Sequence, residues 1–345
     1  MFLAFLGLEL TSRVFWRVAH GIPLFHTERF VQLLYPQLKR IHFEAPPEAA
    51  PEATPDEAPG VPRARSGGES LDVLILGASV LHEEFGPFEE ILERRLREQT
   101  RRPLNLYNLS TPGHTSRDSL LKYDYAIEHR PVDLVIVYHG INELRANNCP
   151  PQVFRDDYSH YAFNRLANAY FEHPGLSYSS FIASAYYVWS RLAWKLGLFE
   201  SIPRGRPNEE WLEYGGDIRT AACLRNNLEL IVDDATARGI PVLLMSYAHY
   251  IAEGYTFEKF LGQELDYGTF RLPIELWGSV ENVHKGLVTH NGTIADVAKR
   301  KDCLFVDQNA EIERNSANFN DVCHLSDAGL EIFVGNLIAA IEHLL

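Results

Sequence analysis

The sequence predicts an α/β protein: a three-layer α/β/α sandwich built on a mostly parallel five-stranded sheet. Two observations carry that expectation. From Leu71 onward, short apolar runs bounded by turn residues alternate with amphipathic stretches of helical length. Strands separated by helices form parallel βαβ units, whose ligands sit outside the carboxyl ends of the strands. The alternation also closes on a helix, SDAGLEIFVGNLIAAIEHLL, with Ser326 placed as its N-cap and Asp327 favourable to its dipole.

The first residues, MFLAFLGLEL, are apolar, but Glu9 interrupts the run and Arg13 and Arg17 follow, while Phe15, Trp16, Val18 and Ile22 continue an apolar face. A membrane span needs about 20 apolar residues. A secretory signal needs a basic start, a longer apolar run and a small-residue cleavage site. Residues 1–44 therefore read either as the tail end of a spanning helix or as an amphipathic helix. Membrane association through this segment is expected, with the cell envelope favoured over the cytoplasm. Residues 45–69 are rich in Pro, Ala and Glu and nearly devoid of large apolar side chains. Such a stretch buries too little surface to repay its ordering entropy and is expected to be an extended linker.

The domain expected over residues 70–345 begins with the buried strand DVLILG (72–77) and a helix from about 83 to 99. NLYNLS (105–110) and VDLVIVYHG (132–140) are the next strands, with a helix over about 116–128 between them. A helix over 218–237, the strand PVLLMSY (241–247), a helix over 282–300 and the strand CLFVD (303–307) complete the pattern before the last helix. Two insertions interrupt it. Residues 145–216 are crowded with aromatics such as Phe154, Tyr158, Tyr170 and Trp189, and are helical in period over 180–197. Residues 252–278 carry Phe257, Phe260, Tyr267, Phe270 and Trp277. Both leave from strand carboxyl ends, which suits a lid or cleft wall. A peripheral helical pair with its own small core is the other reading of the first.

Composition excludes several functions. The net charge of −14, with no basic stripe to compensate it, argues against a nucleic-acid partner and against simple electrostatic docking of the whole chain on anionic lipid. Cys149, Cys223, Cys303 and Cys323 form no C-x-x-C pair and no zinc spacing. A bridge between Cys149 and Cys323 is conceivable, and buried free thiols are the alternative. His249, His284 and His290 show no ligand spacing, and no P-loop, H-E-x-x-H or G-x-G-x-x-G motif occurs, so neither a metal nor an organic cofactor is expected. Asn108 and Asn291 fit the glycosylation pattern, the first inside a core strand.

The chemistry is carried by residues placed where strands end. Ser79, in Gly77-Ala78-Ser79, sits in a strand-to-helix turn that presents a hydroxyl at the sheet edge; an N-cap is its other reading. His324 is the candidate base, and Asp321, three residues earlier, can hold the imidazole in the right tautomer. Gly113 in STPGHTS and Asn142 in YHGINEL, with the Ser79 N–H, can donate to an oxyanion; a turn glycine and a helix cap are their ordinary meanings. His114 and His139 lie beside them, as cleft lining or as packed histidines.

The set Gly77-Ala78-Ser79, Gly113, Gly140-Ile141-Asn142-Glu143 and Asp321-Val322-Cys323-His324 resembles the four blocks of the SGNH (GDSL) hydrolases, in the same order and over about residues 71–345. The resemblance implies a flavodoxin-like α/β/α fold, a nucleophilic Ser79 with His324 and Asp321, and an oxyanion hole of Ser79, Gly113 and Asn142. Two positions depart from the family pattern: Ala78 and Glu143 stand where Asp is usual. The expected function is serine ester hydrolysis of an acyl group, O-acetyl included, on a carbohydrate or lipid. The alternative is an O-acyltransferase acting on a cell-envelope polysaccharide with the same residues.

Overall fold

The computed structural model describes residues 2–20, 24, 34–43, 70–173, 175–198, 202, 205 and 207–345. The expected linker at 45–69 lies outside the described residues. The first helix, α1, is Phe2–His20. Strand β1 (Leu71–Gly77) follows, then α2 (Phe88–Gln99), β2 (Leu104–Asn108), α3 (Ser116–His129) and β3 (Leu134–Tyr138). Next come α4 (Ile141–Asn147), α5 (Ala162–Glu172), α6 (Ser180–Lys195) and α7 (Thr220–Ala237). Strand β4 (Val242–Met245), α8 (Val280–Lys301), β5 (Leu304–Val306) and α9 (Asp327–Ile341) complete the chain.

The five strands form one sheet in the order β2-β1-β3-β4-β5, with every pairing parallel. Alternation along the strands sends successive side chains to opposite faces. Val73, Ile75, Leu134, Ile136 and Leu243 meet the buried sides of α2 and α9, including Phe88, Leu92, Phe333 and Leu337. Leu74, Leu76, Val135, Val137 and Leu244 meet α3, α7 and the end of α8, including Leu120, Leu228 and Val297. Two apolar faces explain why the strands read as continuous apolar runs. This is the three-layer α/β/α sandwich.

Where element ends moved, the cause is local. The helix expected from residue 83 begins at Phe88, because Pro87 stands at its N-cap; farther upstream, residues 79–81 form a 3-10 turn. Ser326 caps α9 by accepting the Gly329 N–H at 3.1 Å. The four cysteines are free thiols, with Cys149, Cys223 and Cys323 buried.

The strand order decides where chemistry can occur. After β1 the chain moves to one side for β2, then crosses back to β3 on the other side. The connections leaving β1, β2 and β3 therefore emerge side by side at the carboxyl edge, at the switch point where such sheets open a crevice.

Candidate active site

Ser79 follows β1 directly, and the chain turns sharply there: the His82 N–H donates to Ser79 O at 3.0 Å. The hydroxyl of Ser79 lies 2.8 Å from His324 Nε2. On the other side of the ring, His324 Nδ1 is 2.8 and 2.9 Å from the two carboxylate oxygens of Asp321. Since a carboxylate only accepts, Nδ1 carries the proton and Nε2 is left to accept from the serine. Residues 245 apart in sequence thus form one hydrogen-bonded chain.

The loop before α9 is shaped around Asp321. Its Oδ1 accepts the backbone N–H groups of Cys323 and His324, each at 2.9 Å, and its Oδ2 accepts that of Leu272 at 2.9 Å. Burial alone would raise this carboxyl. Electrostatic attraction to His324, the ring hydrogen bond and the two loop amides outweigh it and hold Asp321 below its ordinary value. Cys323, 3.5 Å from His324 Nδ1, is pushed the other way, first by burial and then by the Asp321 charge, so its thiol stays neutral. Asp321, Cys323 and His324 form a compact set of ligand-type atoms, but those of Asp321 and His324 are already engaged with one another.

Asn142 lies in the first turn of α4, following β3. Its Nδ2 donates to His114 O at 3.0 Å, and its Oδ1 accepts from Trp277 Nε1 at 3.0 Å. A carbonyl can only accept and an indole N–H can only donate, so the two partners fix the amide's orientation. One Nδ2 hydrogen is committed and the second is left to donate elsewhere. Gly113 has φ +78°, in the left-handed region that glycine enters without cost. It stands in the β2–α3 connection, beside the His114 carbonyl that Asn142 grips. Gly140 has another constraint: a Cβ there would come within 2.6 Å of the Tyr247 side chain.

Glu143 is fully buried next to Asn142. It accepts the Ser116 N–H at 2.6 Å, and the Tyr158 hydroxyl donates to its other oxygen. It therefore ties α4 to the start of α3 and to the first insertion. Burial, opposed by these hydrogen bonds, pushes its pKa up to about 7. Ala78 is buried and contributes no polar group at the other position that departs from the family pattern.

His139 is buried and 2.7 Å from Ser119 Oγ; burial pushes its pKa down to about 3, so it is a neutral, packed histidine. His114 is buried edge-on to Tyr35 and supplies its carbonyl to Asn142. His290, on α8, has Nδ1 3.0 Å from Gly140 O and Nε2 3.1 Å from Thr220 Oγ1, which braces the β3–α4 turn.

Several contributors to this geometry were not among the residues the sequence pointed to. Phe85 stacks on the His324 ring, Leu272 holds Asp321, and Trp277 holds Asn142. Leu272 and Trp277 belong to the insertion at 252–278, whose aromatic content was legible but whose contacts were not. In the first insertion, Tyr158 reaches Glu143, whereas α6 packs against α1.

The model of the GDSL-like lipase/acylhydrolase family matches residues 75–332. Among solved structures, an acetyl xylan esterase variant from Geobacillus stearothermophilus is similar at 12% identity over 79% of this chain and 97% of that one, with a TM-score of 0.43. A GDSL-like lipase from Bacteroides thetaiotaomicron is similar at 15% identity over 80% and 90% of the two chains, with a TM-score of 0.41. A lipase/acylhydrolase from Enterococcus faecalis is similar at 11% identity over 79% and 96%, with a TM-score of 0.41. No curated protein matches. Because the family match runs from within β1 to within α9, the chain belongs to the GDSL-like lipase/acylhydrolase family and is a carboxylic ester hydrolase.

Proposed function

We propose that Ser79, His324 and Asp321 are the catalytic triad of a serine ester hydrolase that removes an acyl group, such as O-acetyl, from a carbohydrate or lipid. The observation that carries this reading is the continuous hydrogen-bonded chain from Ser79 Oγ through His324 to Asp321. Ser79 Oγ attacks the ester carbonyl carbon as His324 Nε2 takes its proton. The negative charge moves to the former carbonyl oxygen, where the Ser79 and Gly113 N–H groups and the second Nδ2 hydrogen of Asn142 stabilise it. Collapse breaks the bond to the alcohol, which leaves with the proton from Nε2. Water then attacks the acyl-serine, giving its proton to the same nitrogen, and release of the acid restores the Ser79 hydroxyl. Asp321 accepts the Nδ1 proton's hydrogen bond throughout and stabilises the imidazolium.

A second reading keeps these groups and replaces water by a polysaccharide hydroxyl, making the protein an O-acyltransferase. The burial of His324 beneath Phe85 favours it, since water is the competing acceptor in transfer.

The test is incubation of the full chain and of Ser79→Ala with a fluorophosphonate, followed by turnover of p-nitrophenyl acetate. Labelling and turnover of the native chain alone support the triad; a folded native chain that stays unlabelled overturns it. Adding an acetylated sugar donor with an acceptor glycan and analysing products separates hydrolysis from transfer.

A further inference from the structure

Helices α1 and α6 pack together with their polarity inverted. Among the described residues, sixteen of the twenty exposed large apolar side chains lie on α1, on α6 or in the turn just after α6. Val18 and Leu3 are 82% and 80% exposed, and Val188 and Trp189 are 62% and 56% exposed. The polar groups face the contact between the helices instead. Glu9 accepts the Ser179 hydroxyl at 2.7 Å and the Ser180 and Phe181 N–H groups at 3.0 and 2.9 Å, which caps the start of α6. It also pairs with Arg13 at 2.8 Å. Ser12 is 2.7 Å from Ser184 Oγ, and the indole N–H of Trp16 donates to that same oxygen at 2.7 Å.

In water, a helix pair buries its leucines and exposes its charges. Hydrocarbon reverses the preference: polar side chains satisfy one another between helices and small residues line the contact. On α6 the inward positions include Ser180, Ala183, Ser184 and Ala193, and the outward ones include Val188, Trp189, Leu192 and Trp194.

We propose that the α1–α6 pair is a lipid-binding surface, which seats the protein on an anionic bilayer with both helices in the interface. Charge selects this occupant. In a chain of net charge −14, α1 carries Arg13 and Arg17 against Glu9, and α6 carries Arg191 and Lys195 with no acid. Arg17, Arg191 and Lys195 are exposed. An anionic headgroup layer attracts such cations. A second copy docked about a two-fold axis would set the same cations against their own image. No described helix is long and apolar enough to cross a membrane, and helices with one apolar and one charged face seat in the plane of the interface. Tyr187, Trp189 and Trp194 are the side chains that prefer the boundary of headgroups and acyl chains. The surface acts independently of the triad's role.

The experiment is flotation of the full chain with vesicles of phosphatidylcholine, alone or mixed with phosphatidylglycerol. The native chain is expected to float with the mixed vesicles, more weakly with phosphatidylcholine alone and more weakly at high salt. The double variant Val188→Glu/Leu192→Glu should lose at least about tenfold in lipid affinity while hydrolysing a soluble short ester as the native chain does. Leu230→Glu, an exposed apolar site on α7 outside the patch, should float as the native chain does. Because only water-facing side chains change, Leu6→Glu/Val18→Glu on α1 provides a second variant with the same expectation. The proposal is overturned if the native chain never floats, or if both double variants float like it. It is also overturned if the chain dimerises through this face, shown by monomeric variants, while vesicles capture nothing.

Discussion

Phe85 lies flat against the imidazole of His324, with ring centroids 4.3 Å apart and ring planes 17° apart. Arg271 holds this cover in place: its guanidinium sits 5.5 Å from the Phe85 ring centroid, and its Nη1 donates to Phe85 O at 2.9 Å. The candidate base is therefore steadied on two sides, by Asp321 through a hydrogen bond and by an aromatic face through packing. Phe85 comes from the β1–α2 connection and Arg271 from the second insertion, so two loops meet over one ring.

Removing the ring tests that relationship. Phe85→Ala forfeits a stack worth about 0.5–1.5 kcal/mol and opens the imidazole to rotation and water. We expect kcat/KM on a short ester to fall about tenfold, which is the loss of roughly that much orientation energy. Phe85→Tyr, which preserves the face, should retain most of the activity. Unchanged kcat/KM in Phe85→Ala, with the fold verified by circular dichroism, would remove Phe85 from the working site.

Asp321 makes a prediction in pH. Its folded pKa is lowered from the ordinary 3.8, so its stabilising contribution is complete above that value and disappears as pH falls through the lower folded one. Asp321→Asn should lose this acid-limb dependence, which thermal melts across the acid range will show. It should also lower kcat by about three to four orders of magnitude, because an amide can hold the wrong tautomer of His324. An acid limb identical to the native one would show that the carboxylate is not held in this way.

How much of this was legible beforehand follows from how local each determinant is. The strand runs were readable because each strand is buried on both faces and so announces itself within its own residues. The start of α2 lies several residues beyond its expected place, because helical pattern in the sequence extends upstream of Pro87 while the helix itself does not. The order of Ser79, Gly113, Asn142, Asp321 and His324 was readable, because each sits at a strand's end and the sheet brings those ends together. The contacts of Leu272 and Trp277 were not, since a loop without periodicity gives no sign of which residue turns inward. The inverted helices are the sharpest case. Helical period revealed α6, but period alone does not say which face turns toward its neighbour.

Trp277 tests one of those unread contacts. Its Nε1–H holds Asn142 Oδ1 at 3.0 Å and so aims the amide nitrogen. Trp277→Phe keeps most of the packing but drops this donor, leaving a buried oxygen unpaired at a cost of about 1–3 kcal/mol. The amide is then less well aimed, and kcat should fall about tenfold with KM nearly unchanged, the pattern of a contact that matters only in the transition state. Asn142→Ala should lose more, about 100- to 1,000-fold, if its amide donates to the oxyanion. A Trp277→Phe loss confined to KM would place the indole in substrate binding instead.

Glu143 yields the opposite pH trend from Asp321. Burial raises its pKa from 4.5 to about 7, with the charge of Asp118 adding to the effect and hydrogen bonds from Tyr158 and Ser116 opposing it. Between those two values the folded protein binds more protons than the unfolded chain, so stability is fullest below pH 4.5 and is lost as pH rises through about 7. The loss is at most about 3.5 kcal/mol, from about 1.4 kcal/mol for each unit of displacement. Glu143→Gln keeps the side chain's size, can still accept the Ser116 N–H through its carbonyl, and cannot ionise. The native chain should therefore lose melting temperature relative to this variant as pH climbs from 5 to 8, a difference that scanning calorimetry of the two proteins at matched buffers resolves. Parallel curves would mean that the carboxyl remains ionised in its buried position and that Tyr158 and Ser116 suffice to stabilise the charge.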